Sequence, residues 1–361
     1  MFKKLYEFLQ KENISFKEDY KMSYHSYCKV GGEAKFYITP DSQSKLISLI
    51  SHLKYENIEY KLIGETSNLI FLDEIVYGVI ISTKLLDQIQ IDAYKAIVEP
   101  GVNLSSFLRI LYSKKIEGYS GLEGIPGSIG GAIVMNAGAY GYTISDKLIS
   151  VKVLDQNGIV QLISRNDCLF SPRNSFFREN KKVIILEIIF DISVRSEISD
   201  VEYYKEIETY HIARHSYQEF VLPNAGSIFT TDRCIYDDFS DINIKFKICY
   251  KLTNKLFHNK LMRLKNRKSP NRILANRIIS KIFNLDEFEK IYSIKHINMF
   301  AIKDGNSYEL INYIYKLKSI LAGKIRIENE IIIDSVINWR NVNENDVKEK
   351  LIYIETGKRC D

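Results

Sequence analysis

Apolar positions recur along this chain with two periods, and the change from one to the other marks its elements. Phe2, Leu5, Tyr6, Phe8 and Leu9 lie on one stripe at helical spacing. "AKFYITP" then reads as a strand, "SKLISLISHLKYEN" as a helix and "IEYKLIG" as a second strand, a β-α-β pattern that predicts a parallel or mixed sheet. "VYGVIIST" and "QIQIDAYKAIVEPG" add strands, and "LSSFLRILYSKK" adds a helix. In "KLISVKVLDQNGIVQLIS" two alternating runs flank Gln156, Asn157 and Gly158, so a hairpin is expected there. "KKVIILEIIFDISV" is a long strand, and "SDVEYYKEIETYHIARHSY" is a helix with Ser199 or Asp200 as its cap. A helix "SYELINYIYKLKSILAG" and an alternating run "KIRIENEIIIDSV" come near the end. In that run alternation puts Ile327, Ile331 and Ile333 on one face and Arg326, Glu328 and Glu330 on the other. No repeat period appears, and a boundary falls near residue 197.

One stretch departs from both periods. Between Gly118 and Gly141 stand eight of the 18 glycines of the chain, although glycine loses the most backbone entropy on folding. Gly121, Gly124, Gly127 and Gly130 fall at every third residue, but four triplets in a globular chain make no collagen helix. A turn-rich segment that brings backbone close to a ligand explains them better, because freed N–H groups form a nest for phosphates. A glycine-rich bend without a ligand has the same composition. Pro126 and the continuation "MNAGAYG" favour the ligand, as does "LIGETSNLIF", which sets Gly64, Thr66, Ser67 and Asn68 directly after a predicted strand. Neither stretch is GxGxxG or GxxxxGK[ST], which argues against Rossmann and P-loop sites.

Composition adds bounds. At 361 residues, 45% hydrophobic and 26% charged, the chain fits two globular domains. Lys, Glu and Gln interrupt the first twenty residues, and no uncharged run approaches the ~20 residues that span a bilayer. The cytoplasm is therefore the expected location, with no membrane partner. Five cysteines, Cys28, Cys168, Cys234, Cys249 and Cys360, show no CxxC spacing and read as reduced thiols. His211 and His215 in "HIARH" share a helix face, but Ile212 stands where a zincin carries Glu, so no metal is expected. The net charge of +5 is local: residues 242 to 285 hold twelve Lys or Arg and no Asp or Glu. This segment reads as a solvated helix or loop; a nucleic-acid or anionic-lipid surface is the other reading.

"GLEGIPGSIGGAIVMNAGAYG" closely resembles the signature of the UDP-N-acetylenolpyruvoylglucosamine reductases, the MurB family. "YCKVGGEAKFYITP", "LIGETSNLIF", "VEPGVNLSSFL", "FSPRNSFF", "LPNAGSIF" and "IRIENEIIID" resemble the same family in the same order, from about residue 20 to 336. The resemblance implies an α+β chain with an FAD-binding domain of the p-cresol methylhydroxylase type, two α/β lobes over residues 1–197. A smaller α+β substrate-binding domain over 198–361 follows, with a basic insertion near 233–272. The short interval between "FSPRNSFF" and "LPNAGSIF" is similar to the branch without the extra tyrosine-bearing loop.

The implied reaction reduces UDP-N-acetylglucosamine enolpyruvate to UDP-N-acetylmuramate with NADPH, through bound FAD, in a monomer. An enol ether is electron-rich, so hydride addition needs its carboxylate as an electron sink, a group that stabilises that charge, and a proton donor. By the resemblance Ser227 is the proton donor, and Arg173 and Glu330 stabilise the developing charge. Arg214 lies near the nucleotide diphosphate, and Gly64, Ser67, Asn68, Gly127, Gly130, Gly131, Asn136 and Gly138 hold FAD. Taken singly, Ser227 reads as a turn serine, Arg173 as a surface arginine and Glu330 as an exposed strand charge. The chain departs from the family pattern at Thr66, where glycine is usual, and at Pro172, where tyrosine is usual. Further departures are Thr230–Asp232, in place of a Lys-Asn-Pro stretch, and Ile332, often arginine. Two alternatives follow: a flavin-binding protein without reductase activity, and a scaffold or nucleic-acid-binding protein that uses the basic segment.

Overall fold

The computed structural model describes residues 2–256, 258–259, 269–270, 272–321, 325–340 and 342–358. Its first sheet is built on Ile75–Ser82, in which every residue is buried. A strand covered on both faces reads as a continuous apolar run, as "IVYGVIIS" does. Glu33–Thr39 and Tyr60–Ile63 pair with it in parallel, and Val336–Trp339 pairs antiparallel. Ser15–Lys21 closes the edge on Glu33–Thr39. The crossover helix Gln43–Tyr55 starts at Ser42, whose side chain accepts from the Lys45 N–H. It packs Leu46, Leu49 and Leu53 against Leu5 and Leu9 of the helix Phe2–Lys11 and against Phe36, Ile38, Val79 and Ile81. Each such leucine contributes about 1.5–3 kcal/mol by leaving water.

The second sheet is antiparallel, in the order Val160–Ser164, Leu148–Leu154, Ile184–Asp191, Lys95–Val98, Ile89–Ile91. Its hairpin forms at the Asn-Gly site, where Asp155 Oδ1 accepts from the N–H groups of Asn157 and Ile159, each at 2.8 Å. The helix Leu104–Ser113, capped by Asn103, buries Phe107, Leu108 and Leu111 against Val98, Val151, Ile188 and Phe190. The same cluster takes Ile129 and Ile133 from a six-residue helix, Ile129–Val134, inside the glycine-rich stretch. Periodicity did not show that helix, because glycine occupies two of its six positions.

Beyond residue 197 the chain is mainly helical. Asp200–His215 begins with a capping box between Ser199 and Glu202. The basic stretch is helical over most of its described residues, as one of its readings expected, but it is not simply solvated. Residues 257, 260–268 and 271 lie outside the described residues; the rest of 244–283 holds the helices Ile244–Leu256 and Arg272–Phe283 and a two-residue strand pair, His258–Asn259 with Ser269–Pro270, and the helix Ile235–Ile242 precedes it. Tyr236, Phe239, Phe246 and Ile279 are fully buried, in one cluster with Leu310 and Ile314 of the helix Ser307–Ile320. That cluster is continuous with Phe71 and Tyr77 of the first lobe.

The closing run is the main correction to the predicted elements. It forms two short strands: Arg326–Ile327 pairs antiparallel with Phe229–Thr230, and Glu330–Ile332 pairs in parallel with Leu69–Phe71. The partner changes at Glu328 and Asn329, so the alternation does not carry through. Ile332 is fully buried and Ile333 is 46% exposed, the reverse of the expected faces. Among the described residues no helix is long and apolar enough to cross a membrane, and Cys28, Cys168, Cys234 and Cys249 are free thiols. Cys360 lies outside the described residues.

Candidate active site

A cleft of about 780 Å³ opens where the two sheets and the returning strands meet. Gly64, Ser67, Asn68, Gly127, Gly130, Gly131, Gly138, Arg173, Arg214, Ser227 and Glu330 all line it. Asn136 does not; it is buried just behind the wall, its Nδ2 donating to the Ser171 carbonyl at 3.1 Å.

The glycines divide by what surrounds them. A Cβ on Gly64 would collide with Ser128 Oγ, one on Gly127 would stand 2.7 Å from Ser67 Oγ, and one on Gly130 2.7 Å from Pro100 Cβ. Gly127 also has φ +125°, a backbone state that side chains disfavour. Gly64 and Gly127 let the loops 64–68 and 127–131 pack against each other, and Gly130 lets the second loop pack on Pro100. Gly131 differs: a Cβ there would meet only Ser128 Oγ at an ordinary 3.5 Å, and the residue is exposed in the cleft. Gly226, beside Ser227, has no described residue within 4 Å of that position. These open places are where the cleft has room for a ligand against its backbone. Part of the phosphate nest expected of the long stretch is filled by the protein itself. The N–H groups of Ile129 and Gly130 donate to Val102 O and Pro100 O, and that of Gly131 to Ser128 Oγ. Those of Thr66, Ser67 and Asn68, and of Gly127 and Ser128 in the longer stretch, make no hydrogen bond among the described residues, so both loops offer free donors. Open backbone, free N–H groups and adequate volume fit FAD.

Thr66 explains why glycine suits its position. Its φ is +61°, a left-handed conformation that costs a β-branched residue about 1–2 kcal/mol. The side chain offsets this by bridging: Oγ1 accepts from the Tyr27 N–H at 2.9 Å and donates to the His25 carbonyl at 3.4 Å. Pro172 has a similar explanation. Ser171 and Asn174 exchange backbone hydrogen bonds across Pro172 and Arg173. Proline presets the first inner position of that turn, and Arg173 takes the second at φ +55°.

The cleft wall carries six cations, Lys61, Arg173, Arg178, Lys181, Arg214 and Arg326, and six acids, Glu65, Glu179, Glu328, Glu330, Asp334 and Glu355. It is therefore a paired lining and not a uniformly positive trap. Arg173 Nε meets Glu328 Oε1 at 2.9 Å. Burial pushes the Glu328 carboxyl up, with Arg173 and Arg178 opposing. Arg178 donates to the carbonyls of Arg173 at 2.6 Å and Glu328 at 3.4 Å, and burial lowers its pKa. Glu330 pairs with Lys61, and Lys181 stands 3.5 Å away. Sequence reasoning passed over Lys61, Arg178 and Lys181, since none falls in a motif that marks it; Glu328 had a signal in sharing the polar face with Glu330.

Ser227 is held by its neighbours. Asn224 Oδ1 accepts from the Gly226 N–H, Asn329 Nδ2 donates to Ala225 O, and Ile228 N–H donates to Asn298 O. The Ser227 hydroxyl is half-buried and has no hydrogen-bond partner among the described residues. Arg214 is committed to shaping the glycine stretch. Its Nε donates to Glu123 O at 2.7 Å and its Nη2 to Gly121 O at 3.4 Å, and burial lowers its pKa. In "TTDR", Arg233 turns away to Asp238 and Asp241, 2.6 and 2.7 Å distant, and none of residues 230–233 lines the cleft. His211 Nδ1 lies 3.2 Å from Glu123, and the His211 and His215 rings are 4.2 Å apart.

Comparison with known proteins agrees with this architecture. Residues 34–164 match the family described as FAD binding domain. The fold is similar to that of UDP-N-acetylenolpyruvylglucosamine reductase from Thermus caldophilus, with a TM-score of 0.60 and 18% identity over 88% of this chain and 98% of that one. The UDP-N-acetylenolpyruvoylglucosamine reductase of Caldanaerobacter subterraneus subsp. tengcongensis is 33% identical over 226 residues, 63% of this chain and 73% of the relative. The enzyme of that name from Streptococcus pneumoniae strain JJA is 33% identical over 232 residues, with the same coverage. Shared identity at this level over most of such a relative, on an FAD-binding fold whose cleft fits the cofactor, makes this chain a member of the UDP-N-acetylenolpyruvoylglucosamine reductase family.

Proposed function

We propose that this chain reduces UDP-N-acetylglucosamine enolpyruvate to UDP-N-acetylmuramate with NADPH, as a cytoplasmic monomer in which residues 1–197 bind FAD and 198–361 bind the nucleotide substrate. Supporting this reading is the cleft itself, where the free hydroxyl of Ser227 and the charged side chains of Arg173 and Glu330 face the same space as the glycine loops. FAD, when bound there, supplies the hydride. The residues of the chain have the remaining work. Thr66, Ser67 and Asn68 offer N–H groups to the diphosphate, and Gly131 leaves room beside it. Arg173 presents its guanidinium to the carboxylate of the enolpyruvyl group, where negative charge grows as the double bond is reduced. Its strained backbone and its bond to Glu328 fix that presentation before substrate arrives. Ser227 donates its proton to C2. A serine hydroxyl is a weak acid, so this step relies on position against a strongly basic carbon.

The test is an anaerobic spectral cycle. NADPH should bleach the yellow protein, and the enolpyruvyl substrate should restore its colour. Bleaching without recovery would instead assign the chain to flavin binding without this reductase activity, the reading that the outward turn of Arg233 favours.

A further inference from the structure

The acid at the cleft mouth is governed by a residue that lies in no motif. We propose that Lys61 is the positioning residue for Glu330, anchoring one carboxylate oxygen and offsetting its charge so that the other faces the substrate without repelling it; this rests on the part in stabilising the developing charge that the resemblance implies for Glu330. Lys61 lies on Tyr60–Ile63, the strand that runs directly into the loop 64–68. Its side chain is only 11% exposed, and lysines are rarely so enclosed without a partner. It has two: Glu330 Oε1, in an ion pair, and Asp334 Oδ2 at 3.1 Å. Burial disfavours the ammonium, but Glu330 and Asp334 outweigh it and hold Lys61 above the ordinary lysine range.

Other groups near Glu330 do not substitute for this lysine. Lys181 stands 3.5 Å from the same oxygen, but it is 61% exposed and so screened by solvent. Arg178 is engaged with the Arg173 and Glu328 carbonyls. Glu328 is paired with Arg173, and Ile331 and Ile332 bring no charge. Among the described residues no hydrogen-bond donor reaches Glu330 Oε2. A second tie runs through the backbone, since the Glu330 N–H donates to Asn68 O at 3.0 Å. One oxygen is thus fixed from the strand that leads into the loop 64–68 and the other has no donor among the described residues, so the carboxylate and that loop share one frame.

The experiment uses the FAD-loaded protein as wild type, Lys61→Met, Lys61→Arg, Glu330→Gln and the double variant Lys61→Met/Glu330→Gln. Anaerobic stopped flow follows bleaching by NADPH and recolouring by the enolpyruvyl substrate, and calorimetry measures affinity for UDP-N-acetylmuramate. In Lys61→Met, bleaching should keep its rate and product affinity should stay within about threefold, while recolouring should slow by about tenfold or more. Lys61→Arg should recover most of that loss, and in the Glu330→Gln background the lysine change should add no more than about twofold. Recolouring at the wild-type rate in Lys61→Met, or losses that multiply independently in the double variant, would overturn the proposal. If Lys61→Met does not retain FAD, Lys61→Gln carries the same test with the same two outcomes. A wild-type protein that bleaches but never recolours sinks the proposed function itself, whereas a cycling wild type beside an unaffected lysine variant sinks only this inference.

Discussion

Arg173 Nε lies 2.9 Å from Glu328 Oε1, and the arginine that makes this contact has its backbone at φ +55°. A left-handed arginine next to a buried carboxylate is an arrangement that local stability does not favour. The turn imposes it through Pro172, and Arg178 clamps the Arg173 carbonyl from below. Strain of this kind gathers where a side chain must be aimed.

Glu328 gives that pair a pH signature. Burial raises its pKa in the folded chain, with Arg173 only partly opposing, so the folded state holds the proton more tightly than the unfolded state. The favourable contribution is then present at low pH and is lost as pH rises from the ordinary carboxylate value of about 4.3 through the raised one. Denaturant midpoints of wild type and Glu328→Gln across this window should separate progressively in favour of the glutamine variant as pH rises. Parallel curves would mean that Glu328 titrates alike in both states.

Ser227→Ala should separate the two halves of the reaction. NADPH should still bleach the protein, while recolouring by the enolpyruvyl substrate should fall by about 100-fold or more. The hydroxyl makes no hydrogen bond among the described residues, so denaturant stability should move by less than about 0.5 kcal/mol. Unchanged recolouring would remove Ser227 from the reaction.

Thr66 reverses an ordinary ranking. In most positions alanine is better tolerated than glycine, but at φ +61° an alanine keeps the strain and loses both hydrogen bonds to the 25–27 segment. Thr66→Gly loses the same bonds and releases the strain. Thr66→Ala should therefore be the less stable of the two by about 1 kcal/mol, measured by urea unfolding. Equal stability would indicate that the loop relaxes out of the left-handed region.

The sequence revealed elements wherever a local rule decided them. The Asn157-Gly158 hairpin, the Ser199 cap and the helix Leu104–Ser113 each depend on neighbours in the chain. Ser15–Lys21 escaped notice because "SFKEDYK" lacks an apolar alternation and takes its strand form from Glu33–Thr39. Ile332 and Ile333 exchanged faces because a change of strand partner at Asn329 is a tertiary event. At the site, motif resemblance named the residues of the cleft wall, but not what holds them. The Lys61 partner of Glu330 is 269 positions distant in the chain, and no spacing rule spans that distance.

The glycines offer the sharpest separation of folding from binding. At Gly127 both φ +125° and the nearness of Ser67 Oγ oppose a side chain, so Gly127→Ala should destabilise the protein without cofactor by about 2 kcal/mol or more. At Gly131 a side chain would meet only an ordinary contact with Ser128 Oγ among the described residues, and the residue lies within the helix Ile129–Val134. Gly131→Ala should therefore stabilise the cofactor-free protein by about 0.5–1 kcal/mol. The same methyl group would stand in the cleft, so FAD affinity, read from quenching of flavin fluorescence on titration, should fall by about tenfold or more. A variant both more stable and poorer at binding assigns this glycine to the ligand. If Gly131→Ala binds FAD as wild type does, the cofactor does not lie against residue 131, and the open backbone there needs another occupant.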